Sequence, residues 1–188
     1  MDELALIADR SYKTYKARLK ASDRLQARQR AWNTSLLALS IATTTASIGL
    51  LTDSQMYGAA GPTVLVCVSV LALIVSLTVA GLNYGVRSRD MFMNYRNLQR
   101  LSVEAEALEK EPHPDGAAVR KLRDRYNALL DDSENHTSAD HKLANSSADV
   151  SVWQVRASAL LTCAPYVALV VPVLIVIPFI EWALHGHP

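Results

Sequence analysis

The stretch Thr63–Tyr84, TVLVCVSVLALIVSLTVAGLNY, runs 22 residues without a charged side chain. As a helix rising about 1.5 Å per residue it reaches about 33 Å, enough to cross a hydrocarbon core about 30 Å thick. Two further stretches read the same way. Ala31–Leu51 (AWNTSLLALSIATTTASIGLL) has 21 residues and Ala157–Ile180 (ASALLTCAPYVALVVPVLIVIPFI) has 24, both uncharged. From Ala31 to Val86 the single charge is Asp53, and from Ala157 to Pro188 it is Glu181, although the 188-residue chain carries 19 Lys and Arg and 18 Asp and Glu. Soluble domains distribute charge along every surface element, so the blocks predict an all-α membrane protein with three transmembrane helices. The 50% hydrophobic content excludes intrinsic disorder, and the nearly balanced charge gives no ground for direct nucleic-acid binding.

The flanks predict an orientation. Residues 1–30 hold eight basic groups and residues 87–156 hold eleven, whereas the 52–62 connection and the 181–188 tail hold none. Lys and Arg accumulate on the cytoplasmic side, which places the N-terminus and the long middle segment there and the C-terminus outside. The first 30 residues lack an apolar run followed by a small-residue cleavage site, so the first span is expected to serve as its own insertion signal. Cys67 and Cys163 fall inside spans and read as small packing residues.

Four segments follow: a basic amphipathic helix over 1–30, a transmembrane hairpin over 31–86, a cytoplasmic helical hairpin over 87–156, and a third span with a short outer tail over 157–188. In the first, Leu4, Ala8, Tyr12, Tyr15 and Leu19 recur at helical steps, with Lys and Arg on the other faces. Such a helix either lies on anionic headgroups or extends the first span and packs on the middle segment. The second span is expected to continue unbroken into a helix with the stripe Met91, Tyr95, Leu98, Leu101 or Ser102, Ala105 and Leu108. Glu111-Pro112-His113-Pro114-Asp115-Gly116 breaks it, and a second helix starts near Asp115 with Val119, Leu122, Tyr126 and Leu129 on one face. A further segment is expected from about Thr137 to Asn145. In the last span Pro165, Pro172 and Pro178 each remove a backbone hydrogen bond, predicting a bent or hinged helix.

Polar residues within the spans are the first candidates for function. Ser69, Ser76 and Asn83 repeat every seven residues, and Ser40, Thr43, Thr44 and Ser47 form a comparable stripe. Faces of this kind either pack helices closely or line a pore once several copies assemble. No ionisable residue sits in a span core, which argues against a proton-coupled transporter. The cluster Asp131-Asp132-Ser133-Glu134-Asn135-His136, with Asp140 and His141, has His136 and Asp140 one helical turn apart. It is compatible with helix capping or an interface, with small-ligand sensing, or with a metal. The sequence has no CxxC pair, HExxH or GxSxG motif and no Gly-rich phosphate loop, so no enzyme activity and no cofactor is predicted.

Taken together, two spans joined by a short loop, then Asn83-Tyr84-x-x-Arg87-Ser88, Met91-x-x-Asn94-Tyr95-x-x-Leu98, Tyr126-x-x-Leu129-Leu130 and Ser133-Glu134-Asn135-His136-Thr137 with Asp140, resemble the SLATT family. These are two-transmembrane effector domains associated with bacterial nucleotide-sensing systems. The resemblance covers roughly residues 10–145, and the chain departs from the minimal pattern by its third, proline-rich span. It implies a bacterial inner-membrane effector of antiviral defence that oligomerises and permeabilises the membrane, killing the infected cell. The trigger would be a separately encoded sensor, such as a reverse transcriptase or a nucleotide-cyclase-like system. On that reading Ser40, Thr44, Ser47, Ser69, Ser76 and Asn83 stand at helix contacts or a pore wall of a homo-oligomer. Tyr95, Tyr126, Glu134, Asn135, His136 and Asp140 brace the cytoplasmic hairpin or receive the trigger. The rival reading is a non-conducting membrane anchor that recruits a soluble partner.

Overall fold

The computed structural model describes residues 3–131 and 152–185, and these form six helices with no strand among them. They are α1 (Glu3–Thr52), α2 (Gly61–Gly81), α3 (Tyr84–Glu109), α4 (Gly116–Asp131), α5 (Val152–Ala168) and α6 (Val170–His185). Three helical segments, within Glu3–Thr52, Gly61–Glu109 and Cys163–His185, are long and apolar enough to cross a membrane. The chain is a multi-pass, all-α membrane protein. It divides into two compact units, a charged one of residues 1–26 and 85–159 and an apolar one of residues 27–84 and 160–188. The 137–145 segment lies outside the described residues.

α1 is a single helix of 50 residues because nothing interrupts it: the first glycine is Gly49 and the first proline Pro62. The N-terminal helix therefore extends the first span, as the second of the two readings requires. After Thr52 the chain turns on Asp53, whose Oδ1 accepts from the Gln55 amide at 2.9 Å, and on Gly58, which takes φ +70° at no steric cost. Pro62 then stands in the first turn of α2, where its missing N–H is no loss.

In the charged unit α1 pairs antiparallel with α3, and α4 covers both. Ile7, Ala8, Leu101, Ala105 and Leu122 form the core cluster, with Tyr126 and Leu129 packed against it. The α3 stripe lies where periodicity predicts it: Met91, Leu98, Leu101, Ser102 and Ala105 are buried, and Tyr95 and Leu108 half-buried. On α4, Leu122 is buried and Val119, Tyr126 and Leu129 are half-buried. Asp115 caps that helix, its Oδ1 accepting from the Ala117 amide at 3.0 Å.

The α1 seam is displaced from its expected register. Leu4, Ala8, Ser11, Arg18, Ser22 and Leu25 face inward, whereas Tyr12 is 40% exposed. Nor do the basic residues all face outward, since Arg18 and Arg28 are buried. Small Ser and Ala residues at the seam let the helix backbones approach, and the bulky tyrosines are left at its edge.

The helix expected to run unbroken from the second span is interrupted, and the last span, expected to bend or hinge, divides in two. Between α2 and α3, Asn83 adopts φ +48°, and the Leu82 and Asn83 amides tighten onto the carbonyls of Thr78, Val79 and Ala80. Gly81 and Gly85 flank this point, each costing a helix interior about 1 kcal/mol relative to Ala, and Asn tolerates the left-handed region better than most residues. Between α5 and α6 the break falls at Leu169. Pro172 stands four residues beyond Ala168, so its ring opposes that carbonyl and supplies no amide hydrogen to it. Pro165 and Pro178 remain inside α5 and α6.

Candidate functional site

The apolar unit carries one set of candidate residues. Ser40, Thr44, Ser47, Ser69 and Ser76 are all exposed on the chain. Several of their hydroxyls donate back into their own helices: Thr44 to the Ser40 carbonyl and Ser47 to the Thr43 carbonyl, each at 2.8 Å, and Ser69 to the Leu65 carbonyl at 2.8 Å. A hydroxyl satisfied this way can sit in hydrocarbon, and its lone pairs stay available to a donor from another helix. The structure brings Ser47 and Ser69 to one groove of about 460 Å³, lined also by Leu50, Pro62, Leu65, Val66, Val70 and Leu73. Ser40, Thr44 and Ser76 do not line it. Asn83 stands at the helix break instead, its amide donating to the Gly81 carbonyl at 3.3 Å.

The face of α1 that the apolar unit buries is a different one. Ser35, Ala42, Ala46 and Gly49 are buried, spaced seven, four and three residues apart. The Ser35 hydroxyl donates to the Pro165 carbonyl of α5. A Cβ on Gly49 would stand 2.8 Å from Met56 Sδ and 3.1 Å from Phe179 Cδ2, so the glycine permits α6 and the α1–α2 turn to close on α1. The Tyr57 hydroxyl donates to the Ile175 carbonyl of α6 at 2.8 Å. Hydroxyl periodicity directs attention to the Ser/Thr stripe, whereas the sequence signal for this contact is the small-residue spacing alone.

In the charged unit several polar contacts join different helices. Ser22 and Ser88 interlock, each hydroxyl donating to the other residue's carbonyl at 3.0 Å, which holds the α1 and α3 backbones close. One turn along the seam, Arg18 is 1% exposed and its Nη1 approaches Met91 Sδ at 3.8 Å. Burial lowers its pKa and the nearby Tyr126 hydroxyl opposes that shift, yet an arginine stays protonated under such conditions. Periodicity at the α1 tyrosines conceals this residue. Asn94 Nδ2 donates to the Leu129 carbonyl at 2.7 Å, tying the end of α4 to α3.

Of the hairpin residues singled out in sequence, Tyr95 packs against Tyr15 and Phe92, with centroids 5.8 and 5.6 Å apart. Tyr12 continues this ring ladder at 5.2 Å from Tyr15, with Lys16 over its face at 4.0 Å. Burial raises the Tyr15 pKa, reinforced by Tyr12. Tyr126 meets Thr14, oxygen to oxygen, at 3.4 Å. Thus Tyr95 and Tyr126 both contact α1. Glu134, Asn135, His136 and Asp140 lie outside the described residues, as does His141.

Three apolar spanning segments joined to a packed, charged helical unit define a multi-pass membrane protein. The profile of the SMODS and SLOG-associating 2TM effector domain family 5 matches residues 2–184. The chain belongs to this SLATT family. The match extends through α5 and α6, so the third span is part of what this branch of the family matches rather than an addition beyond residue 145. No curated protein and no solved structure gives a significant match.

Proposed function

We propose that this effector acts by assembling several copies in the bacterial inner membrane into a pore, when a separately encoded sensor acts on its charged unit. The observation that carries the reading is the exposure of α2. Only Gly61, Leu65 and Val79 of that helix are buried, while Ser69 and Ser76 remain exposed on the single chain. Hydroxyls facing lipid gain nothing, whereas facing a second copy or a water-filled lumen they find donors and acceptors. The positive-inside distribution supports a cytoplasmic charged unit and an external C-terminus. The same site needs no catalytic group.

Planar-bilayer recording of purified protein with its genomic partner is the test. Stepwise conductance that is lost in Ser69→Leu/Ser76→Leu, with oligomer size and membrane insertion unchanged, is the expected result. Absence of conductance in the assembled, partner-activated state refutes it. The second reading is a membrane anchor that recruits a soluble partner. It is favoured by the closure of the Ser47, Thr44 and Ser69 hydroxyls onto their own helices, and it requires activity to survive the double Leu change.

A further inference from the structure

The charged unit carries a groove of about 430 Å³ between α3 and α4, lined by Asn97, Arg100, Arg125, Ala128 and Leu129. None of these five is acidic, and the two arginines come from facing helices. From these contacts we propose that the groove is a binding site for a phosphomonoester with a compact apolar body. Arg100 and Arg125 would hold the phosphoryl oxygens, Asn97 would add an amide donor, and Ala128 and Leu129 would contact the rest of the ligand.

Three observations support the assignment. Guanidinium groups present paired donors that match phosphate geometry, which a single lysine cannot do. The groove walls are held in place: Leu122 sits in the shared core, and Asn94 Nδ2 fastens the Leu129 carbonyl at 2.7 Å. The volume lies within the usual range for small-ligand clefts and exceeds what a bare phosphate fills.

Two features oppose an anion. Glu104 holds Arg125 at 2.7 Å, and the groove lies toward the carboxyl end of α4, where backbone carbonyls and Asp131 add negative potential. The Glu104–Arg125 pair is about half exposed on both sides. Such pairs are weakly held, so a dianionic phosphate can displace the carboxylate. Glu104 thereby becomes a built-in competitor, and its removal should tighten binding.

The site stands whether or not the spans conduct. Phosphoryl chemistry of this kind occurs both on soluble metabolites and on lipid headgroups. Phenyl phosphate titrated calorimetrically into the full chain in non-ionic micelles is the probe, with an expected Kd of about 0.1–1 mM. Arg100→Gln should weaken it about tenfold, the loss of one charge-assisted contact. Arg120→Gln removes an exposed charge of α4, the helix of Arg125, that does not line the groove, and should leave binding unchanged. Glu104→Gln should strengthen binding by a few-fold, a gain that misfolding cannot produce. In nanodiscs, loss of phenyl phosphate binding on adding phosphatidic acid assigns the site to headgroups, and unchanged binding assigns it to soluble esters. Absence of saturable binding, equal weakening by Arg120→Gln and Arg100→Gln, or weakening by Glu104→Gln overturns the proposal.

Discussion

Truncating Leu98 to alanine tests the register of the α1–α3 seam. Leu98 has no exposed surface, and it occupies the centre of the α3 stripe between Met91 and Ala105. The change removes the equivalent of three methylene groups, about 2.4 kcal/mol at about 0.8 kcal/mol each. A residual cavity of some 50 Å³, at about 24 cal/mol per Å³, adds about 1 kcal/mol, giving about 3–4 kcal/mol in all. Val103, five residues along the same helix, is 61% exposed, and Val103→Ala should stay within about 0.5 kcal/mol. Hydrogen exchange of the α3 amides, read by mass spectrometry on protein in non-ionic micelles, reports the local opening free energy. Leu98→Ala should accelerate exchange about 100- to 1,000-fold, since each 1.4 kcal/mol is tenfold. Val103→Ala should change it about twofold or less. Equal effects of the two substitutions would refute the seam, and with it the reading that α1 packs on α3 through this face.

Three other perturbations address different parts of the molecule. Gly49→Leu should lower the Tm of the apolar unit by several degrees and Gly49→Ala by less, because the new carbons meet Met56 and Phe179; differential scanning fluorimetry reads both, and an unchanged Tm for Gly49→Leu would contradict the close approach. Asn83→Gly should leave stability unchanged or slightly raised, whereas Asn83→Val should cost about 1–2 kcal/mol at φ +48°, measured by chemical denaturation. At Tyr15 the folded pKa lies above the ordinary 10.0, so the folded state holds the phenolic proton longer than the unfolded chain. The stabilisation is therefore complete below pH 10 and declines as pH rises through the folded pKa. Tyr15→Phe should flatten that alkaline loss in a pH series of denaturation curves.

The spans, the α3 stripe, the α4 face and the Asp115 cap were legible because each rests on local information. A hydropathy run longer than a bilayer is thick, a 3.6-residue period and a cap before a helix need no knowledge of neighbours. The interruption at Asn83 was not, since no proline marks it and the flanking glycines alone do not locate a break. The three prolines of the last span indicated bending in general, but which one interrupts the helix was not readable, because Pro165 and Pro178 are accommodated within α5 and α6.

The candidate sites divide along the same line. Sequence by itself determined that this is a three-span helical membrane protein, with polar hydroxyls in two spans and a charged hairpin carrying Tyr95 and Tyr126. Tertiary structure alone decided which face of α1 is inside. Around α1 the residues allow more than one seam, and Tyr12, Tyr15 and Leu19 compete with Ser11, Ala17, Ala21 and Ser22 for the buried side. The small residues win because α3 approaches so closely that Ser22 and Ser88 bond to each other's backbones, leaving no room for a tyrosine between them. Within the first span the Ser/Thr stripe and the Ser35, Ala42, Ala46, Gly49 stripe are equally visible in the sequence. Only the second is covered by α5 and α6, because it offers the smaller side chains on which Pro165 and Phe179 can close. Helix periodicity specifies which residues share a face, whereas the choice among faces depends on the shape of the helix that packs there.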